Sequence, residues 1–108
     1  MDILDYTGED FQAVKSFEGW RIGIINYSER FANPHIRERH FETDECHVLL
    51  SGTATIYEDD IAVNMEQGKV YSTPKGVWHH LVLSPDARVL VVENSNTSKE
   101  NSERIHTV

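Results

Sequence analysis

His40-Phe41-Glu42-Thr43-Asp44-Glu45-Cys46-His47-Val48-Leu49-Leu50-Ser51-Gly52 opens on imidazole and carboxylate side chains, runs into apolar β-type sequence and stops at a glycine. A second stretch uses the same ingredients in the opposite order. It starts at Gly68, turns at Pro74-Lys75-Gly76 and reaches His79 after Val77-Trp78. Fifteen residues separate Gly52 from Gly68, so the two stretches meet only through folding. Side chains alternate across a strand, and residues two apart share a face. Glu38 therefore shares a face with His40. Glu45 shares one with His47 and Leu49, and His79 shares one with Leu81 and Leu83. Trp78 and His80 point the other way. If the Glu38/His40, Glu45/His47 and His79 faces look into one barrel, imidazoles and carboxylates converge there. Neutral imidazole suits Zn, Cu, Fe or Ni, and carboxylate suits harder cations.

The surrounding sequence reads as short strands separated by turn chemistry. Trp20 to Tyr27 follows Gly19 and is rich in β-branched and aromatic residues. Ile36 to His40 and Glu45 to Leu50 follow. Thr53 to Tyr57 turns at Glu58-Asp59-Asp60 into Ile61-Ala62-Val63, and Val70-Tyr71 comes after Gly68. Trp78 to Leu83 turns at Ser84-Pro85-Asp86 into Arg88 to Glu93. Regular short strands with such turns predict an all-β sandwich or barrel, with no helix. The chain of 108 residues suits one domain over 1–108. Its core is expected at about 19–94, followed by the polar segment 95–108, in which Ile105 and Val108 could lie along a sheet edge.

Net charge is −8, with no run of Lys or Arg, which argues against nucleic acid or an anionic membrane as partner. No segment approaches the ~20 apolar residues of a membrane helix, and no basic, apolar leader opens the sequence. One cysteine, Cys46, excludes an internal disulfide and fits a reducing compartment. The cytoplasm is the expected location.

The two stretches resemble the two motifs of the cupin superfamily. The first, G-x5-H-x-H-x(3,4)-E-x6-G, is matched by His40, Glu45 and Gly52. The second, G-x5-P-x-G-x2-H-x3-N, is matched by Gly68, Pro74, Gly76 and His79. Glu38 stands where the family's first histidine falls, Ala32 where its first glycine falls, and Leu83 where its asparagine falls. The resemblance implies a double-stranded β-helix, the cupin jelly-roll barrel of short antiparallel strands. It implies metal ligands at His40, Glu45, His79 and Glu38, holding a divalent transition metal such as Zn, Mn, Fe or Ni. It also makes a homodimer the expected assembly.

Each site residue also has a plainer structural role open to it. His40 and His79 could be hydrogen-bonded structural histidines, and Glu45 could orient a histidine from outside the metal. Glu38 could pair with Arg37 or Arg39 in solvent. His47 is a pocket-lining residue, a further ligand or an acid/base group, and Glu38 and His47 are the catalytic candidates. His80 is expected to face outward beside Trp78, and Cys46 is read as a small buried hydrophobe. Leu83 argues for packing at its position. The expected function is a metal-binding protein with a small-molecule pocket. It would be either a metal-dependent enzyme on a small polar substrate, such as a sugar or acid derivative, or a non-catalytic small-molecule-binding or interaction domain without bound metal.

Overall fold

The computed structural model describes residues 1–107, so the expectation for Val108 lies outside the described residues. Ten strands follow in chain order: β1 (Asp10–Phe17), β2 (Trp20–Asn26), β3 (Ile36–His40), β4 (Glu45–Ser51), β5 (Ala54–Glu58), β6 (Ile61–Asn64), β7 (Val70–Thr73), β8 (His79–Leu83), β9 (Arg88–Asn94) and β10 (Ser102–His106). No α-helix occurs among the described residues, and two single 3-10 turns lie at Glu29–Ala32 and Lys99–Asn101. The strands form two five-stranded antiparallel sheets, ordered β1-β2-β9-β4-β7 and β10-β3-β8-β5-β6. Sequence neighbours such as β3 and β4 fall in different sheets, which is the jelly-roll, double-stranded β-helix arrangement.

Between the sheets the side chains change character along the barrel. One end is closed by apolar residues of both sheets, including Leu49, Ala54, Ile56, Met65, Leu83 and Val89. Leu83 is in this cluster, as expected. Toward the other end the inward positions turn polar on three strands. Along β4 they run Leu49, His47, Glu45; along β8, Leu83, Leu81, His79; along β9, Val89, Val91, Glu93. All nine are buried. The antiparallel register pairs Leu49 with Val89 and His47 with Val91, and one further step along it brings Glu45 beside Glu93. The apolar end supplies the burial that holds the sheets together, at about 25 cal/mol per Å² of apolar surface. The polar end is thereby free to carry chemistry.

Two strands lie outside residues 19–94. β1 pairs with β2 as a hairpin, with a register shift between Ala13 and Lys15. β10 pairs with β3 along five residues, placing Ile105 opposite Arg37. The polar segment thus supplies an edge strand. Cys46 faces away from Glu45 and His47 but is only half-buried, because the outer face of its sheet is incompletely covered.

Gly52 and Gly68 both adopt positive φ, +69° and +84°, where a side chain is strained. They differ in surroundings. A Cβ on Gly52 would stand 2.6 Å from Ala87 Cα, whereas one on Gly68 meets nothing within 4 Å. We therefore expect Gly68→Ala to cost about 1 kcal/mol, from the left-handed conformation alone. Gly52→Ala should cost about 3 kcal/mol, because backbone must also move. Denaturant melts of the two variants check this, and equal costs would contradict the steric account.

Candidate functional site

Three backbone contacts join the two halves of the site. The Gly76 N–H donates to the His40 carbonyl at 2.7 Å. The Lys75 N–H donates to Asp44 Oδ1 at 2.8 Å. Thr43 Oγ1 accepts from the Asn94 N–H at 2.9 Å. The turn of the second stretch is thus bound to the start of the first, and β9 is bound to the first as well. This brings His40, Glu45 and His79 together, with one potential ligand atom from each lying within 4.8 Å of the others.

Glu45 is the hub. Its Oε1 lies 2.6 Å from His47 Nε2 and 3.5 Å from His79 Nε2, and its Oε2 lies 2.9 Å from His40 Nε2. Burial works to raise the Glu45 carboxyl. The His47, His40 and His79 rings outweigh it and hold the group well below the usual carboxylate range. His79 responds in the opposite sense. Burial works to lower it, but the hydrogen bond and charge of Glu45 raise it above its ordinary value. Two atoms bound to one ion at about 2.1 Å stand roughly 3.0–3.4 Å apart, close to the His40–Glu45 and His79–Glu45 separations. Two imidazole nitrogens and a carboxylate are also a donor set that first-row divalent ions accept. The residues therefore fit a metal.

The other candidates lie around this cluster. His47 is 1% exposed, donates to Glu45 through Nε2 and leaves its Nδ1 without a hydrogen-bond partner. Glu38 stands opposite His79 in the β3–β8 register, but its carboxylate is held elsewhere. Its Oε1 accepts from Arg30 at 2.6 Å and Arg104 at 3.1 Å. Its partners are therefore these two arginines, not Arg37 or Arg39. Arg37 covers Tyr57, and Arg39 pairs with Glu103.

Glu93 is a site residue that the sequence reading passes over. It is buried, bound to Arg21 through Nε at 2.7 Å, and lies beside Glu45. Burial and the adjacent Glu45 carboxylate push it up to about 7 against the pull of Arg21. Its signal was available: Val89 and Val91 mark the inward face of the strand, and Glu93 continues it. Above all these groups lies a cavity of about 500 Å³. Phe11, Ile25, Phe31 and Val91 are among its apolar lining, alongside the titratable groups described here. Its volume falls within the range of small-molecule pockets.

Comparison with known proteins agrees with the fold. The Cupin domain family model matches residues 31–93. No curated protein matches the chain. Among solved structures, a variant of Streptomyces PAC13, a nucleoside dehydratase, with uridine superposes with a TM-score of 0.74 at 7% identity, covering 97% of this chain and 86% of that one. A cupin-2 domain containing protein from Shewanella frigidimarina gives 0.67 at 17% identity, over 82% and 84%. KdgF from Halomonas sp. gives 0.66 at 12%, over 89% and 90%. At these identities the likeness is one of fold.

His80 departs from expectation. Alternation turns it away from His79, yet it is 3% exposed. The 3-10 turn Glu29–Ala32 packs on that side. Phe31 stacks on the His80 ring at 5.7 Å, and the Arg30 carbonyl lies 3.0 Å from Nε2. Burial pushes His80 down to about 4 from 6.5. Because the folded value is depressed, the unfolded chain binds more protons between these limits. The His80 contribution is complete above about 6.5 and lost as pH falls toward 4. Glu93, raised, works in the opposite sense over part of that range, so the comparison must isolate His80. The stability advantage of the wild type over His80→Phe should rise by about 3 kcal/mol from below pH 4 to above pH 6.5. Parallel stability curves for the two proteins would contradict this assignment.

Proposed function

The chain belongs to the cupin domain family, and from that premise we propose that it is a metal-binding cupin whose pocket takes a small polar molecule. His40, Glu45 and His79 would hold a divalent transition metal, Zn, Mn, Fe or Ni. The observation carrying this reading is the convergence of their ligand atoms within 4.8 Å at the wall of a 500 Å³ cavity. In an enzyme of this kind the ion supplies Lewis acidity toward a carbonyl or a developing negative charge.

The chain's own residues then have distinct tasks. His47, behind Glu45, orients that carboxylate by donating to Oε1. Arg30 and Arg104 fix Glu38 on the cavity wall, where it can accept a hydrogen bond from a hydroxyl-bearing ligand. Glu93, a buried carboxyl on the cavity lining raised by burial and by Glu45, joins Glu38 and His47 as an acid/base candidate. Phe11, Ile25 and Val91 supply apolar lining to the same cavity. A sugar or an acid derivative matches this mixture of carboxylate, guanidinium and apolar lining. The expected cytoplasmic homodimer belongs to the same proposal.

A second reading has an observation of its own. Glu45 is already within hydrogen-bond reach of His40 at 2.9 Å and His47 at 2.6 Å, so these groups satisfy one another without an ion. That supports a metal-free pocket which binds a small molecule through the same residues. Elemental analysis of protein purified without an affinity tag separates the two, with Co2+ uptake measured on wild type, His40→Ala and His79→Ala. On the metal reading, wild type takes up about one ion per chain. Each variant should bind more than about 100-fold more weakly, since even loss of a ligand's hydrogen-bond partner costs about 10–100-fold. Wild-type protein that neither carries nor takes up metal would leave the metal-free pocket as the function.

A further inference from the structure

The polar segment after β9, expected from sequence to reach a sheet edge at Ile105, also builds one wall of the cavity. Thr97, Ser98, Lys99, Ser102 and Arg104 all line it. The segment is fastened on both sides of its 3-10 turn. Ser98 and Asn101 cap that turn reciprocally, and the Asn101 carbonyl accepts from the Phe41 N–H at 3.0 Å. β10 then runs antiparallel to β3, from the Ser102–His40 pair to the His106–Ile36 pair. This register brings the Ser102 hydroxyl to 2.7 Å from His40 Nδ1.

The two histidines of the cluster are consequently held in different ways. His79 Nδ1 lies 3.0 Å from the Val77 carbonyl, which can only accept. Nδ1 of His79 therefore carries a proton, and Nε2 is the nitrogen this ring turns toward Glu45 and the site. His40 Nδ1 instead meets a hydroxyl, which can either give or take a hydrogen bond. While His40 Nε2–H donates to Glu45 Oε2, the hydroxyl donates to Nδ1. When Nε2 is bare and available to an ion, Nδ1–H donates to the hydroxyl. The ring is neutral in both arrangements: one N–H is lost at Nε2 and one is gained at Nδ1. A carbonyl in place of Ser102 would support only the second arrangement, and an apolar side chain would support neither.

We propose that Ser102 is a positioning residue for His40, and that the C-terminal strand β10 is through it a working part of the metal site. This inference rests on the metal reading above and adds the element that tunes it. The test is Co2+ titration of the metal-free full-length chain, followed by the visible absorption of the bound ion. Wild type, Ser102→Ala, Ser102→Thr and Ser102→Val are compared, and the melting of each metal-free protein is recorded. Threonine and valine have nearly the same shape, so the pair separates the hydroxyl from packing.

Ser102→Ala and Ser102→Val should weaken Co2+ binding about 10–100-fold, with metal-free melting close to wild type. Ser102→Thr should restore affinity to within a few-fold of wild type. Equal Co2+ affinity in wild type, Ser102→Ala and Ser102→Val would overturn the role of Ser102 and leave the metal reading intact. Ser102→Thr binding as weakly as Ser102→Val would overturn that role in the same way. Wild type that binds no Co2+ would overturn both.

Discussion

Glu45 lies at the inner end of the pocket, 7% exposed, and an ionised carboxylate there must find its compensation within the protein. Three imidazoles provide it, and each comes from a different neighbourhood. His40 belongs to the facing sheet, His47 follows two residues along the same strand, and His79 is set by the turn at Pro74-Lys75-Gly76. Only the contact with His47 lies within a single strand. A buried carboxylate deprived of partners costs several kcal/mol. The arrangement therefore ties the register of β4, the closure of the second turn and the docking of β3 to a single point. Satisfying Glu45 and assembling the barrel's polar end are one event.

The rest of the pocket follows from how charge is shared around that point. Glu93 lies beside Glu45 because the β4–β9 register puts it there. Two adjacent carboxylates in a low-dielectric site do not both ionise easily, so one remains anionic and the other is pushed toward neutrality. The imidazoles select Glu45 as the anion, and Arg21 alone does not fully compensate Glu93. Glu38, by contrast, has two guanidinium partners at short range. Three carboxylates lining one cavity, Glu45 and Glu93 from one sheet and Glu38 from the other, thus sit in three different environments, and divergent environments are how a single pocket acquires both an acid and a base.

Much of this was legible in the residues, and the failures have physical causes. The strands from β2 to β9 follow from β-type composition and turn chemistry, and on β4, β5 and β9 the buried positions also alternate with a period of two. β1 escapes that reading because its register shifts between Ala13 and Lys15, so the alternation breaks mid-strand. β10 is read only through Ile105, expected along a sheet edge and found there paired with β3; its bounds escape because Ser102-Glu103-Arg104-Ile105-His106 has little apolar content to bury. Among site residues, His40, Glu45 and His79 stand out through spacing. His80 is read wrongly because alternation says which way a side chain points, not what lies there, and the turn carrying Phe31 covers that side. Glu93 is missed because a carboxylate at the end of a strand usually marks the passage to solvent. Here the strand ends inside the cavity.

The polar end also explains why this barrel can recruit a tail. β3 is short and carries Glu38 and His40 on its inward face, so apolar burial gives it little purchase. Only the Glu38–His79 pairing joins it to β8 in the sheet register, whereas β10 pairs along its whole length. An exposed edge here would leave unpaired backbone groups beside a charged cluster. β10 covers that edge, and its inward positions fall on Ser102 and Arg104, opposite His40 and Glu38. Both functions of the strand, closing the sheet and completing the pocket wall, follow from one register. A shift of a single residue would turn Ser102 and Arg104 outward and present Glu103 to the site. The polarity of the segment is therefore suited to its place: an apolar strand would close the same edge, but it would leave His40 Nδ1 without its hydroxyl and Glu38 with Arg30 alone.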